Sequence, residues 1–151
     1  MKIATTVLET RNTVKNWRKE GYTVGLVPTM GFLHEGHASL IKKCREQNDK
    51  VVVSVFVNPT QFGPNEDLEA YPRDLEKDKA LCESLGADLI FHPEPSEMYQ
   101  NPKTYMNIEG LSDNLCGKSR PIHFKGVCTV VSKLFNNDSN NSSFRLSILS
   151  T

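Results

Sequence analysis

The chain has 151 residues, and its 18 basic side chains are balanced by 18 acidic ones. This length allows one domain with its own hydrophobic core. Zero net charge and the lack of a basic stretch with interleaved aromatic residues argue against nucleic acid as a partner. No run approaches the roughly 20 apolar residues of a membrane span, and no secretory signal is evident at the N-terminus. We therefore expect a cytoplasmic protein that does not enter a membrane.

The predicted elements alternate between helices and strands. In chain order, apolar spacing and breaker residues predict a helix over 7–20, a strand over 22–27 ending at Pro28, a helix from His34, a strand over 50–57, a helix over 75–85, a strand over 88–91, a short strand over 105–109 and a helix over 127–135. The strand over 50–57 is apolar almost throughout, which is typical of a parallel sheet covered on both faces. The order therefore predicts an α/β fold with a Rossmann-like parallel sheet and flanking helices.

Three of these strands, over 22–27, 50–57 and 88–91, are expected to form the parallel sheet, which is fewer than the usual five or so of a doubly wound sheet. The fold is therefore expected to be incomplete in this chain. After Phe135 the composition turns polar and rich in Asn and Ser, which cannot bury a core. We expect a partial Rossmann-like domain over 1–136. Residues 137–151 are expected to be an atypical polar tail, either disordered or produced by a frameshift.

The four cysteines do not form a metal-binding pattern. Cys44, Cys82, Cys116 and Cys128 include no C-x-x-C pair, and their spacings fit no zinc framework. They are expected to be reduced thiols, and no protein-bound metal is predicted.

The most informative segment is the predicted turn from the second strand into the next helix. It contains Gly31, His34, Gly36 and His37. Strand-to-helix turns bind anions through free backbone N–H groups and the positive end of the helix dipole, which also favours neutral imidazoles. The two histidines are one position too close for the zinc-protease helix motif. We therefore predict a phosphate site here, the alternative being that the imidazoles are helix caps or surface groups.

Polar side chains also follow the strand over 50–57. Asn58, Thr60 and Gln61 come at its carboxyl end. Neighbouring parallel strands end at the same edge of a sheet, so these amides are expected beside the histidine turn, where open α/β sheets bind ligands. Turn formation is the alternative, because Asn-Pro commonly opens a turn.

Two further basic features are left open. Arg73 lies in a predicted helix start and has either a functional or a structural role. A basic cluster could meet phosphate, meet a partner subunit or simply be solvated, and it consists of Lys118, Arg120, His123 and Lys125.

Four blocks in this order resemble the pantothenate synthetase (pantoate–β-alanine ligase) family. They are the segments Pro28-Thr-Met-Gly-Phe-Leu-His-Glu-Gly-His, Val55-Phe-Val-Asn-Pro-Thr-Gln-Phe, Tyr71-Pro-Arg and Arg120-Pro-Ile-His-Phe-Lys-Gly-Val. The first two together are highly specific. The histidine element alone would indicate only the wider nucleotidyltransferase superfamily with its HxGH motif. The resemblance runs from about residue 1 to Asn136.

The resemblance implies a reaction and a set of site residues. The family condenses pantoate with β-alanine, using ATP with Mg²⁺, through a pantoyl-adenylate intermediate, and its members are usually homodimers. The implied ATP-binding residues are Met30, Gly31, Phe32, Leu33, His34, Glu35, Gly36 and His37. His34 and His37 would act at the phosphates as catalytic residues, with His37 as proton donor. The implied residues for pantoate and β-alanine are Gln61, Asn58, Pro28 and Thr29.

The chain departs from the family after the Lys133-Leu-Phe-Asn segment. The family continues with a Gly-x-Lys-Asp motif, a further pantoate-binding Gln, a Met-Ser-x-Arg-type loop and a C-terminal domain, none of which follows here. We therefore expect a truncated or frameshifted form with poor activity. The alternatives are a non-catalytic remnant that binds ligand or pairs with an intact subunit, and another adenylyl- or cytidylyltransferase.

Overall fold

Four parallel strands form one sheet at the centre of the molecule. The computed structural model describes residues 1–64, 66–100, 105–106 and 121–136, apart from the side chains of 121, 122, 124 and 136. The strands are β1 (Lys2–Ala4), β2 (Val24–Thr29), β3 (Lys50–Val55) and β4 (Leu89–Phe91). Their order across the sheet is β1-β4-β3-β2, with every pair parallel. The predicted α/β fold with a parallel sheet is thereby confirmed.

Helices connect and cover these strands. In chain order they are α1 (Val7–Lys19), α2 (Glu35–Gln47), a 3₁₀ turn (Pro59–Gln61), α3 (Leu75–Ser84), α4 (Pro95–Met98) and α5 (Pro121–Asn136). The sequence pattern predicted four of these, and it missed the short 3₁₀ turn and α4. The predicted strand over 105–109 and the tail over 137–151 lie largely or wholly outside the described residues, as does Cys116.

The sheet separates two hydrophobic clusters, because successive side chains of a strand point to opposite faces. Val52 of β3 packs in one cluster with Val14 of α1 and Val130 of α5. Val53 packs in the other with Ile41 of α2, in a cluster that also includes Cys82 of α3. Helices therefore cover both faces of the sheet.

Two strand predictions need correction. β2 does not end at Pro28 but continues through it to Thr29. The carbonyls of Thr23 and Thr29 accept the N–H groups of Lys50 and Phe56, so the odd-numbered residues of β2 face β3. Pro28 faces away from β3, where its missing N–H costs no ladder hydrogen bond.

The second correction concerns β1, which the sequence pattern missed. Three residues, Lys2–Ala4, pair with β4 and carry the buried Ala4 into the core. A strand this short has too few positions to show a period. The described part of the chain therefore has four strands rather than three.

A cluster of charges joins the amino ends of β3 and β4. The Asp88 carboxylate accepts the Val51 N–H (2.8 Å) and pairs with Arg45 Nη1 (2.8 Å) and Lys50 Nζ (3.2 Å). The Asp88 side chain is 22% exposed, so these bonds are partly shielded from water. This end of the sheet is fixed by ion pairs, while its carboxyl end is left for other groups.

No helix in the described ranges is both long and apolar enough to span a bilayer.

Candidate active site

A tight turn joins the carboxyl end of β2 to α2. Gly31 and Phe32 both have left-handed backbone conformations, with φ values of +85° and +51°. Glycine adopts this conformation freely, but a residue with a Cβ rarely does. The turn ends at His34, whose extended backbone starts α2 as its N-cap.

The turn satisfies most of its own N–H groups. The Gly31 N–H donates to Thr29 Oγ1 (3.2 Å). The N–H groups of Phe32 and Leu33 donate to the Asp78 carboxylate at 2.8 and 2.7 Å. The His34 N–H donates to the His37 ring. The chain engages these four N–H groups itself, so they are not free to bind an anion.

The two histidines lie against each other and cap α2. Their ring centroids are 4.1 Å apart. His34 Nδ1 accepts the Gly36 N–H (3.1 Å), and His37 Nδ1 accepts the His34 N–H (3.3 Å), which together form a capping box. A neutral ring whose Nδ1 accepts must carry its proton on Nε2. The hydrogen-bond network therefore assigns both rings an Nε2–H donor, so the predicted cap and phosphate-donor roles are compatible.

Burial lowers the pKa of His37 below its ordinary value of 6.5. The neighbouring His34 lowers it further, while Asp78 raises it. The predicted neutral imidazole thus has a physical basis at His37. The unfolded chain therefore binds the His37 proton more readily than the folded chain does. As the pH falls from 6.5 through the lower folded pKa, protonation of His37 decreases the free energy of unfolding.

We expect imidazole ¹⁵N NMR to show this state directly. Near neutral pH, His37 should have an unprotonated Nδ1 and a protonated Nε2, because Nδ1 accepts a backbone N–H. Its titration midpoint should lie below 6.5. A ring protonated on Nδ1, or a midpoint above 6.5, would contradict the assignment.

Gln61 is oriented by a buried hydrogen-bond network around Asn58. The Asn58 Oδ1 accepts the Thr60 N–H (3.2 Å) and the Tyr99 O–H (2.7 Å). These two bonds identify Oδ1 as the amide oxygen, so the other amide atom of Asn58 is the NH₂ nitrogen, Nδ2. That NH₂ donates to Gln61 Oε1 (2.9 Å) and to the Gly126 carbonyl (3.1 Å). Gln61 Nε2 is therefore left to donate to a ligand. Asn58 itself is 0% exposed and lies behind Gln61.

A cavity of about 250 Å³ connects the histidine turn with Gln61. It lies where β2 and β3 end, at the edge of the sheet where ligands were expected. Its polar lining includes His37, Gln61, Thr29, Ser54 and Tyr71. The remaining lining residues are Pro28, Met30, Phe56, Val127, Val130, Val131 and Leu134. The cavity thus brings together Pro28, Thr29, Met30, His37 and Gln61 of the sequence-predicted site.

Other predicted residues lie around this cavity rather than in it. The Leu33 side chain is buried in the core at 5% exposure, and Phe32 is 46% exposed. Gly31 and Phe32 line a second cavity, which also contacts Asp78. His34 and Glu35 lie on the exposed side of the turn.

The wall formed by α5 was not predicted from sequence. The helix places four apolar side chains in the cavity lining, and Gly126 sits so close to the 3₁₀ turn that a Cβ would lie 2.5 Å from the Thr60 carbonyl oxygen. His123 Nδ1 lies 3.2 Å from the Gln61 carbonyl oxygen. The period of α5 predicted a helix with an apolar face, but nothing in the period indicated what that face covers.

The open questions about basic residues are partly answered. The Arg73 guanidinium donates to the carbonyls of Leu68, Glu69 and Tyr71, so it closes its own loop. Lys125 lies 4.8 Å from the Tyr105 ring centroid. Lys118 and Arg120 lie outside the described residues.

Comparison with known proteins identifies the family. The sequence profile of the Pantoate-beta-alanine ligase family matches residues 2–143. The chain belongs to the pantoate-beta-alanine ligase family. This decides against the alternative of another adenylyl- or cytidylyltransferase.

Relatives in the ligase family are similar in both sequence and fold. The pantothenate synthetase of Enterococcus faecalis is 64% identical over 137 residues, which cover 90% of this chain and 49% of that protein. The crystal structure of pantothenate synthetase from Thermus thermophilus superposes with a TM-score of 0.83 at 47% identity, covering 91% of this chain and 49% of that one. The chain spans about half the length of the relatives it matches.

A third relative was solved with bound ligands. The pantoate-beta-alanine ligase of Francisella tularensis, described as complexed with beta-gamma ATP and beta-alanine, is 41% identical with a TM-score of 0.82, covering 93% of this chain and 54% of that one.

In the described part of the present chain, no three His, Cys, Asp or Glu side chains are grouped so as to hold a metal ion.

Proposed function

We propose that residues 1–136 form the ATP- and pantoate-binding part of a ligase that condenses pantoate with β-alanine. The observation that supports this most strongly is the meeting of the His37 ring and the Gln61 amide at one cavity. An imidazole N–H suits a phosphate oxygen, and an amide NH₂ suits a carboxylate. Family membership and the ATP named with the Francisella relative support the same substrates.

In the first step, a pantoate carboxylate oxygen attacks the α-phosphorus of ATP. A new P–O bond forms, the bond to the β-phosphate breaks, and pyrophosphate leaves with the electron pair. His34 and His37 donate hydrogen bonds from Nε2 to phosphate oxygens whose charge grows during the attack. His37, the predicted proton donor, acts through this hydrogen bond and keeps its proton, since the leaving pyrophosphate needs none. Gln61 holds pantoate, while Pro28, Thr29 and Met30 shape the pocket around it.

In the second step, the neutral amine of β-alanine attacks the acyl carbon of pantoyl adenylate. AMP leaves with the bonding electron pair, and the amide nitrogen gives its proton to solvent. No covalent enzyme intermediate is needed, so positioning and charge stabilisation supply the rate. Mg²⁺ enters as part of the ATP substrate complex.

We further propose that the 151-residue chain alone is a poor catalyst. Its matched part corresponds to about half of each relative, and loss of even one preorganised donor lowers a rate by ~10²–10³. AMP formation from pantoate, β-alanine and ATP should therefore be at least ~10²-fold slower than for the Enterococcus protein. Turnover equal to that of the relative would contradict this proposal.

A fusion tests the site separately from the question of chain length. Residues 1–136 joined to the remaining part of the Enterococcus protein should form AMP in a pantoate-dependent manner. A folded fusion that releases no pyrophosphate with pantoate and ATP would contradict the proposed function. We expect such a fusion to be a homodimer, as checked by sedimentation.

A second candidate function for residues 1–136 by themselves is to bind ligand or to pair with an intact subunit, and the cavity lined by His37 and Gln61 supports ligand binding. Calorimetry with ATP and pantoate, and co-purification with an intact copy, distinguish the two. Binding without turnover supports this second function for the chain by itself.

A further inference from the structure

The turn between β2 and α2 needs support from outside itself. Gly31 and Phe32 are successive residues in the left-handed region, at φ values of +85° and +51°. This conformation is disfavoured for a residue with a Cβ such as Phe32. The surrounding structure must therefore hold the turn in place.

The Asp78 carboxylate provides that support from α3. Its Oδ2 accepts the Phe32 N–H (2.8 Å), and its Oδ1 accepts the Leu33 N–H (2.7 Å). Both oxygens are thus committed to successive N–H groups of the turn, and Asp78 is only 1% exposed. Hydrogen bonds to a carboxylate are about twice as strong as those between neutral groups, and burial shields them from water.

Two further distances show how closely α3 packs against the turn. Lys77 Nζ, from the residue before Asp78, lies 5.5 Å from the Phe32 ring centroid, within cation–π range. A Cβ placed on Gly31 would lie 3.1 Å from Asp78 Oδ2. The turn therefore rests directly on the carboxylate, and a Cβ at Gly31 would be in unusually tight contact with it.

The path of the turn decides where the histidines stand. Leu33 is followed by His34, whose backbone N–H and ring form the capping box with His37 and Gly36. We propose that Asp78 is a positioning residue, which fixes the Phe32–Leu33 backbone and thereby sets the two imidazoles for phosphate. The part of this proposal that concerns phosphate rests on the proposed function, whereas control of the turn does not.

Amide hydrogen exchange of the 151-residue chain tests control of the turn. In Asp78→Asn, the amide NH₂ group would face a backbone N–H, so at least one of the two hydrogen bonds is lost. The Phe32 and Leu33 amides should exchange about tenfold faster or more. The Val52 and Val53 amides of β3 serve as internal reference and should keep their rates.

The titration of His37 gives a readout that a general loss of packing would not produce. The Asp78 charge raises the pKa of His37, so Asp78→Asn should move the NMR titration midpoint of His37 to lower pH. Asp74→Asn is the matched control. It removes the same charge one turn earlier on α3, and asparagine caps a helix as well as aspartate does. This control should leave both the exchange rates and the midpoint unchanged.

A second variant keeps the test of the turn possible if Asp78→Asn does not fold. Asp78→Glu keeps the charge but displaces the carboxylate by one methylene, and it should accelerate exchange at Phe32 and Leu33 with the His37 midpoint retained. Unchanged exchange at both amides in a folded Asp78 variant overturns the proposal. The same result in Asp74→Asn as in Asp78→Asn also overturns it.

Titration with MgATP separates this proposal from the proposed function. In the wild-type chain the imidazole signals of His34 and His37 should shift, and Asp78→Asn should weaken the apparent affinity about tenfold. No response of the wild-type chain would count against the proposed function, while the exchange results would still decide the role of Asp78. A full MgATP response in folded Asp78→Asn would overturn the positioning role.

Discussion

In the fusion of residues 1–136 with the remaining part of the Enterococcus protein, we expect replacement of His37 with glutamine to lower the rate of AMP formation by ~10²–10³, the loss typical of one preorganised donor. The helix start should survive this change. Glutamine at the third helical position can reach back to the N-cap N–H, as His37 Nδ1 does now. The free energy of unfolding in urea should therefore stay within about 0.5 kcal/mol of the parent.

A second variant and a control complete this test. His34→Asn keeps a strong N-cap while removing the other imidazole, and it should lose activity in the same way. Ser39→Ala lies on the exposed side of α2 and removes only a hydroxyl that bonds to the Glu35 carbonyl, so its turnover should equal that of the parent. Parental turnover in His37→Gln would show that the imidazole has no part in the reaction.

The second large effect is expected from Gly126→Ala. The new Cβ would lie 2.5 Å from the Thr60 carbonyl oxygen and 2.8 Å from the Gln61 nitrogen. Because both neighbours are backbone atoms, α5 must move away from the 3₁₀ turn. We expect a loss of about 1–3 kcal/mol in the free energy of unfolding. Gln61 loses its placement as well, so kcat/KM for pantoate in the fusion should fall by up to ~10².

Gly63→Ala is the matched control for this substitution. A Cβ on Gly63 has Glu66 Oε2 as its nearest neighbour, at 3.8 Å, which is ordinary contact. Its stability and its kcat/KM should match the parent. A Gly126→Ala protein with parental urea midpoint and pantoate kinetics would show that α5 tolerates the side chain and does not set Gln61.

The part of the site at the carboxyl ends of β2 and β3 could be predicted from the sequence, because local sequence patterns mark both strands. Apolar runs marked β2 and β3, and parallel pairing required their carboxyl ends to meet. This placed Gln61 near His37, as the shared cavity confirms. The resemblance supplied the individual ligand assignments, and all of these assignments stay predictions.

Long-range contacts set the parts that no pattern could indicate. The Asp78 carboxylate is 46 residues from the Phe32 N–H it accepts, and the Gly126 carbonyl is 68 residues from the Asn58 amide. Neither spacing has a period or a motif. The prediction that free N–H groups would bind the anion also left out Asp78, which engages two of them.

The charge cluster around Asp88 has a consequence for engineering. It lies at the amino ends of β3 and β4, opposite the edge that holds His37 and Gln61. Ionic strength acts on partly exposed ion pairs more than on hydrogen bonds of neutral amides and imidazoles. Salt should therefore alter the melting temperature through one end of the sheet while leaving ligand geometry at the other intact. Substitutions at Arg45 and Lys50 should therefore change the stability of the protein without changing the residues that bind ligand.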